Sequence, residues 1–121
     1  MKSLNRLHSL KMAFSGFMHA LKTEINFRIH VSMAALVLIS GVFFKVTLLE
    51  WALLFGCISS VFITELLNSA LEHCVNLVTL EYNEKAKFAK DLAAAAVLVA
   101  AIFSAVIGAF IFYPKINHYL S

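Results

Sequence analysis

At 121 residues the chain has the length of one domain. It is 61% hydrophobic and only 14% charged, with a formal net charge of +3, four glycines and one proline. A water-soluble globule is closer to half apolar and a quarter charged, so this composition excludes an ordinary soluble domain and requires surface that faces a bilayer.

Residues 2–27 place Leu7, Leu10, Phe14, Phe17, Met18, Leu21 and Ile25 on one side of a helical wheel. Lys2, Arg6, His8, Ser15, His19 and Thr23 occupy most of the rest. An apolar stripe with a basic face describes a helix lying in the membrane interface, or one packed on another protein surface. The spans that follow directly favour the interface. Lys2, Arg6 and Lys11 precede no apolar run with a small-residue cleavage site, so no cleavable signal peptide is expected before the first span.

Three spans are predicted, over about 29–47, 49–78 and 86–113, each long enough to cross a hydrocarbon core. Val31–Phe44 is uninterrupted by charge, and Lys45 can snorkel from its far end. Thr47-Leu-Leu-Glu50 fits a capping box that starts a new helix, and Trp51 stands where an interfacial anchor belongs. Leu92–Tyr113 gives 22 residues without charge, closed by Pro114. Cys57 and Cys74 lie on the same helix about 25 Å apart, too far for a bridge within the chain. Lys2, Arg6, Lys11, Lys22, Arg28, Lys85, Lys87 and Lys90 fall on one side of the membrane, Lys45 and Lys115 on the other. The positive-inside rule puts the N-terminus and the second loop in the cytosol.

The second span carries Glu65-x-x-Asn68-x-x-x-Glu72-x-x-x-Asn76. At 100° per residue these side chains fall within roughly 80° of one another, a ladder of carboxylates and amides on an otherwise apolar helix. Charges at such depth are costly and normally face a protein interior or a site. Glu65 lies about 22 Å along the axis from Glu50, just inside the cytosolic boundary of a hydrocarbon layer about 30 Å thick. A base at headgroup depth, with polar groups extending toward the aqueous side, suits chemistry on lipid headgroups. Glu24, just before the first span, adds a carboxylate from a different helix, and two such carboxylates can hold Mg²⁺. No Gly-x-x-x-x-Gly-Lys loop exists, so any grip on phosphate falls to metal and to lysines such as Lys87 and Lys90.

On these residues alone two classes stay open. One is an enzyme acting on lipid headgroups; the other is a small oligomeric channel or assembly subunit whose carboxylates line a pore. Lys87, Lys90 and Asp91 opposite the ladder favour the enzyme, since a pore has no need of that loop. Asn83 also fits the N-cap of the third helix. Arg28 and His30 read as headgroup contacts, and His73 as a packing residue.

Glu65-Leu-Leu-Asn68-Ser-Ala-Leu-Glu72, followed by Glu81-Tyr-Asn-Glu-Lys-Ala-Lys-Phe-Ala-Lys90-Asp91, resembles the signature of the small prokaryotic diacylglycerol kinase/undecaprenol kinase family. Asn26-Phe-Arg-Ile-His30 is similar to the version in its undecaprenol-phosphorylating branch. The resemblance covers essentially the whole chain. It implies an all-α homotrimer in the inner (plasma) membrane, each subunit an interfacial helix plus three spans, with composite active sites between subunits. The implied reaction moves phosphate from ATP, with Mg²⁺, to a membrane lipid alcohol: undecaprenol, or diacylglycerol as the alternative. No nucleic-acid partner is expected. The resemblance makes Glu65 the base toward the lipid hydroxyl, oriented by Asn68, with Arg28 near the lipid headgroup. It makes Glu24 and Glu72 ligands of the metal on the ATP phosphates and brings Lys90 to the transferring phosphate. Glu81, Tyr82, Asn83 and Asp91 then surround the nucleotide.

This chain departs from the family pattern in several places. Asn76 stands where Asp is usual and Asn83 where His is common, and Ala93–Ala96 lacks a frequent glycine. The N-terminal arginine is out of register, leaving Asn5 or Arg6 as its counterpart. Three spans in so short a chain are expected to leave no deep cavity for a lipid tail, which would then stay among the lipids.

Overall fold

The computed structural model describes residues 2–121, with side chains from Asn5 onward. The chain is all-helical: α1 (Lys2–Thr23), α2 (Ile25–Phe43), α3 (Leu48–Val78) and α4 (Glu84–Leu120). α2, α3 and α4 are each long and apolar enough to cross a membrane. At 1.5 Å per residue α3 and α4 run about 46 and 55 Å, longer than the hydrocarbon layer, so both carry polar turns beyond it.

The boundary between α1 and α2 falls at Glu24, four residues earlier than the start expected for the first span. Glu24 is extended (φ −104°, ψ 109°) and makes no side-chain cap. The continuing bonds Glu24 N–H to Ala20 O and Arg28 N–H to Glu24 O bracket the break and leave the Glu24 carboxylate free for tertiary contacts.

α2 ends in two reversed bonds, Val46 N–H to Gly41 O and Lys45 N–H to Val42 O, at 3.1 and 3.3 Å. This is the Schellman pattern, with Lys45 at φ 52° in the left-handed position that glycine usually takes. Val46, the next residue, is buried. Thr47 then starts α3 through the expected capping box: its hydroxyl accepts from Glu50 N–H, and the Glu50 carboxylate accepts from Thr47 N–H. Two stop-and-start signals within four residues force α2 and α3 into an antiparallel hairpin.

α4 does not end at Pro114. It continues to Leu120, although Pro114 has no N–H to give to the carbonyl one turn back. The turns past the proline are held from outside. Lys115 Nζ lies 3.0 Å from Glu50 Oε1 on α3, and the Tyr119 ring meets Phe43 and Phe44 edge-on at 5.7 and 6.3 Å between centroids.

Both α2 and α4 pack on α3, while their backbones stay apart from each other. At the end near the first loop Val46, Leu54 and Ile111 form a small buried cluster with Val37, Trp51, Ile107 and Phe112 around it. At the opposite end Phe17 of α1, Phe27 of α2 and Phe62 of α3 form an aromatic triad, Phe27 being fully buried. Most of the remaining apolar surface is exposed, as suits helices whose other solvent is lipid. In that setting van der Waals fit and hydrogen bonds, more than the hydrophobic effect, hold helices together. The hydroxyls of Ser60 and Thr64 donate back to carbonyls four residues earlier, so they cross the span satisfied.

Candidate functional site

The ladder on α3 faces α2 in its upper part and the start of α4 in its lower part. Glu65 and Asn68 are buried, Glu65 at 3% exposure, with Ser69 beside them, on a helix whose other buried residues, Leu54 and Val61, are apolar. Across from Glu65 stands His30 of α2, its Nε2 3.8 Å from Glu65 Oε2. Across from the next turns, His73 Nε2 lies 3.6 Å from Glu24 Oε1. Glu72 directly precedes His73, so Glu24 meets α3 at the turn that carries Glu72.

Asn68 donates from Nδ2 to Glu72 Oε1, at a long 3.5 Å, so it addresses Glu72 where an interaction with Glu65 was expected. Its Oδ1 is buried without a partner. An orphaned buried acceptor is uncommon in a folded protein and marks a place for a donor or a cation. With two carboxylates nearby, the donors are hard oxygens. Among the described residues no three His, Cys, Asp or Glu side chains stand close enough to hold a metal ion by themselves. Such a set fits Mg²⁺, which takes one or two carboxylates and fills its shell with water and phosphate.

Lower on the ladder, Lys90 Nζ donates to Asn76 Oδ1 at 2.8 Å, which brings α4 onto the stripe. Lys90 is half-buried there. Asp91 instead pairs with Lys87 one turn back, at 2.6 Å on an exposed face. Asn83 caps α4, its Oδ1 accepting from Lys85 and Ala86 N–H at 2.9 and 3.2 Å. Glu81 and Tyr82 are exposed in the loop before it, where Thr79 Oγ1 accepts from Glu81 N–H. Arg28 is exposed and makes no ion pair among the described residues. Asn5 and Arg6 sit on the first turns of α1, about 27 Å along the chain axis from Glu24, outside this subunit's cluster.

The structure therefore gathers Glu24, Glu65, Asn68 and Glu72, adds Lys90 through Asn76, and leaves Glu81, Tyr82, Asp91 and Arg28 apart. His30 and His73, read from the sequence as a headgroup contact and a packing residue, prove to be the cross-helix partners of the two key carboxylates. The signal for them is the hairpin register. From Glu24 to His30 is six residues along α2, and from His73 back to Glu65 is eight along α3, so antiparallel packing sets the two pairs opposite each other.

Small as the chain is, α2, α3 and α4 bound an apolar cavity of about 230 Å³ that starts at His30 and runs toward Phe112. It exists because α2 and α4 are separated and their facing positions include Ala34, Ala101, Ala105 and Gly108.

The fold and site define an all-α membrane protein of three candidate spans, with a polar ladder on its second spanning helix whose Glu65 and Asn68 are buried. Residues 11–112 match the family model described as prokaryotic diacylglycerol kinase. The chain is 41% identical to the undecaprenol kinase of Bacillus subtilis (strain 168), over 96% of this chain and 100% of that one. It is 39% identical to a diacylglycerol kinase of Synechocystis, over 93% of this chain and 65% of that one. The diacylglycerol kinase of Escherichia coli (strain K12) is 32% identical, over 78% of this chain and 77% of that one. The chain belongs to the prokaryotic diacylglycerol kinase family and is a lipid kinase that uses ATP.

Proposed function

We propose that the chain phosphorylates undecaprenol, with Mg²⁺, at the ladder between α2 and α3. The observation that carries this is the buried Glu65 carboxylate beside the orphaned oxygen of Asn68, whose amide reaches Glu72. The identity over the full length of an undecaprenol kinase supports the polyprenyl alcohol over diacylglycerol.

Phosphoryl transfer needs positioning and neutralised charge more than covalent help. Bound Mg²⁺ would supply that neutralisation on the ATP phosphates, held by Glu24 and Glu72. Glu65 accepts the hydroxyl proton as the alcohol oxygen bonds to the γ-phosphorus and the bond to ADP breaks. Asn68 positions the carboxylates around it. Lys90 leaves Asn76 for the transferring phosphate. Glu81, Tyr82, Asn83 and Asp91 line the nucleotide, Asn83 through its backbone or free amide, since its Oδ1 caps α4. Arg28 contacts the lipid headgroup.

The exposure of Glu72, Tyr82 and Asp91 in a single subunit is what composite sites would require, and we assign the working form as a homotrimer. Its N-terminus and the α3–α4 loop face the cytosol, where ATP is.

The test is a radiolabelled-ATP assay in mixed micelles, with undecaprenol and diacylglycerol competing at equal mole fraction. A higher kcat/KM for undecaprenol is expected. A tenfold preference for diacylglycerol, about 1.4 kcal/mol of discrimination, overturns the choice of lipid and leaves the kinase assignment standing.

A further inference from the structure

The separation of His30 Nε2 from Glu65 Oε2, 3.8 Å, is too long for a direct hydrogen bond. One oxygen can still touch both atoms, at an angle tighter than tetrahedral. An oxygen at an ordinary hydrogen-bond distance of about 2.8 Å from both atoms subtends close to a right angle between them. Both side chains are largely buried, at 19% and 4% exposure, and His30 forms one end of the apolar cavity. We propose that His30 is the residue that receives the substrate hydroxyl, and that the cavity behind it selects a prenyl chain over a glycerol ester.

This rests on the reading of Glu65 as the base. The His30 Nε2–H donates to the alcohol oxygen, and the alcohol proton points at Glu65 Oε2. A second lone pair on that oxygen stays free for the γ-phosphorus. When the O–P bond forms and the bond to ADP breaks, the proton passes to Glu65.

The chain attached to the hydroxyl-bearing carbon then runs along Met33, Val37, Leu54, Val61, Phe62 and Phe112. Apart from His30, the polar lining is Ser104 and Cys57. The Ser104 hydroxyl is already committed to the Cys57 carbonyl across the helix pair, at 3.3 Å. A thiol is a weak donor. Diacylglycerol carries ester carbonyls beside its hydroxyl, and these would enter such a space without donors, which is costly. A prenyl alcohol brings only hydrocarbon. The opening between α2 and α4 lets the rest of a long chain leave sideways into the bilayer.

The experiment uses the full chain in mixed micelles with a polyprenyl alcohol and with diacylglycerol, alongside Mg·ATP binding and oligomeric state. A Cβ at Gly108 meets nothing within 4 Å, so Gly108→Leu adds its bulk to the cavity without a clash at the helix. Gly108→Leu is expected to raise KM for the polyprenyl alcohol at least tenfold while nucleotide binding holds. His30→Ala should lower kcat for that alcohol at least tenfold with nucleotide binding intact, and His30→Gln, which keeps an N–H donor, should recover part of the loss. An unchanged KM in Gly108→Leu, or a change of oligomeric state in its place, assigns the cavity elsewhere and overturns the proposal. Equal loss in His30→Ala and His30→Gln, or loss of nucleotide binding, removes the hydroxyl-binding role. Failure of the unaltered protein to phosphorylate any polyprenyl alcohol defeats the proposed function itself.

Discussion

The Trp51 ring occupies the space that a side chain on Gly41 would need. A Cβ there would lie 2.6 Å from the ring Cη2 and 2.9 Å from Cζ3. Trp51 also stacks on Phe55, at 5.7 Å and 29° between planes, so the ring has little freedom to retreat. The sequence suggested an interfacial anchor at Trp51; the structure makes it the spacer that sets how closely α2 approaches α3. That spacing, together with the four-residue turn, fixes the register that brings His30 to Glu65.

Gly41→Ala should therefore destabilise the hairpin by about 1–3 kcal/mol, the usual range for overpacking a fitted contact. Thermal unfolding in detergent would register it as a lower Tm. Adding Trp51→Leu in the same chain should restore part of the loss, because the clash is with the ring. A double variant no better than Gly41→Ala would show that the glycine matters for some other reason.

Glu65→Gln removes the proposed base while keeping size and hydrogen-bonding atoms. Turnover should fall by at least a hundredfold, the lower end of what general-base catalysis contributes, with Mg·ATP affinity within a few-fold. Retention of more than about a tenth of kcat would exclude Glu65 as the base.

The span count, the capping box at Thr47 and the ladder on α3 were legible because each is a local signal: apolar run length, a three-residue spacing, a helical period. Asn83 as a cap was legible for the same reason. The pairings of His30 and His73 were not, because a contact between helices depends on register, which the sequence carries only indirectly through loop length. The extension of α4 past Pro114 was hidden for a related reason. Proline is a strong local stop, and what overrides it, Lys115 on Glu50 and Tyr119 on two rings, is tertiary. The cavity depends on the α2 and α4 backbones staying apart, and no run of residues encodes that.

Glu24→Gln and Glu72→Gln test the metal assignment. Each should raise the Mg²⁺ concentration needed for half-maximal rate, and each protein should still insert into the membrane. Because both carboxylates would act on one ion, the double variant should lose far less than the two single losses combined. Additive effects in a Mg²⁺ titration would place the two on separate functions.

Pro114 leaves the Phe110 carbonyl without its usual donor inside a continuous helix, a position where proline ordinarily costs about 3 kcal/mol. The external holds on the following turns offset that cost; they do not remove it. Pro114→Ala supplies the missing N–H and keeps the side chain apolar. Since Pro114 is exposed, little packing is lost. The variant should gain about 1–3 kcal/mol of stability, visible as a higher Tm in detergent, with kcat unchanged because the ladder lies at the other end of the bundle. Removing the hold should have the opposite sign: Tyr119→Ala should destabilise the native chain, and less so on the Pro114→Ala background, where the helix can continue unaided. If Pro114→Ala lowers Tm, the ring is itself part of the contact that seats the end of α4, and the helix is not strained there.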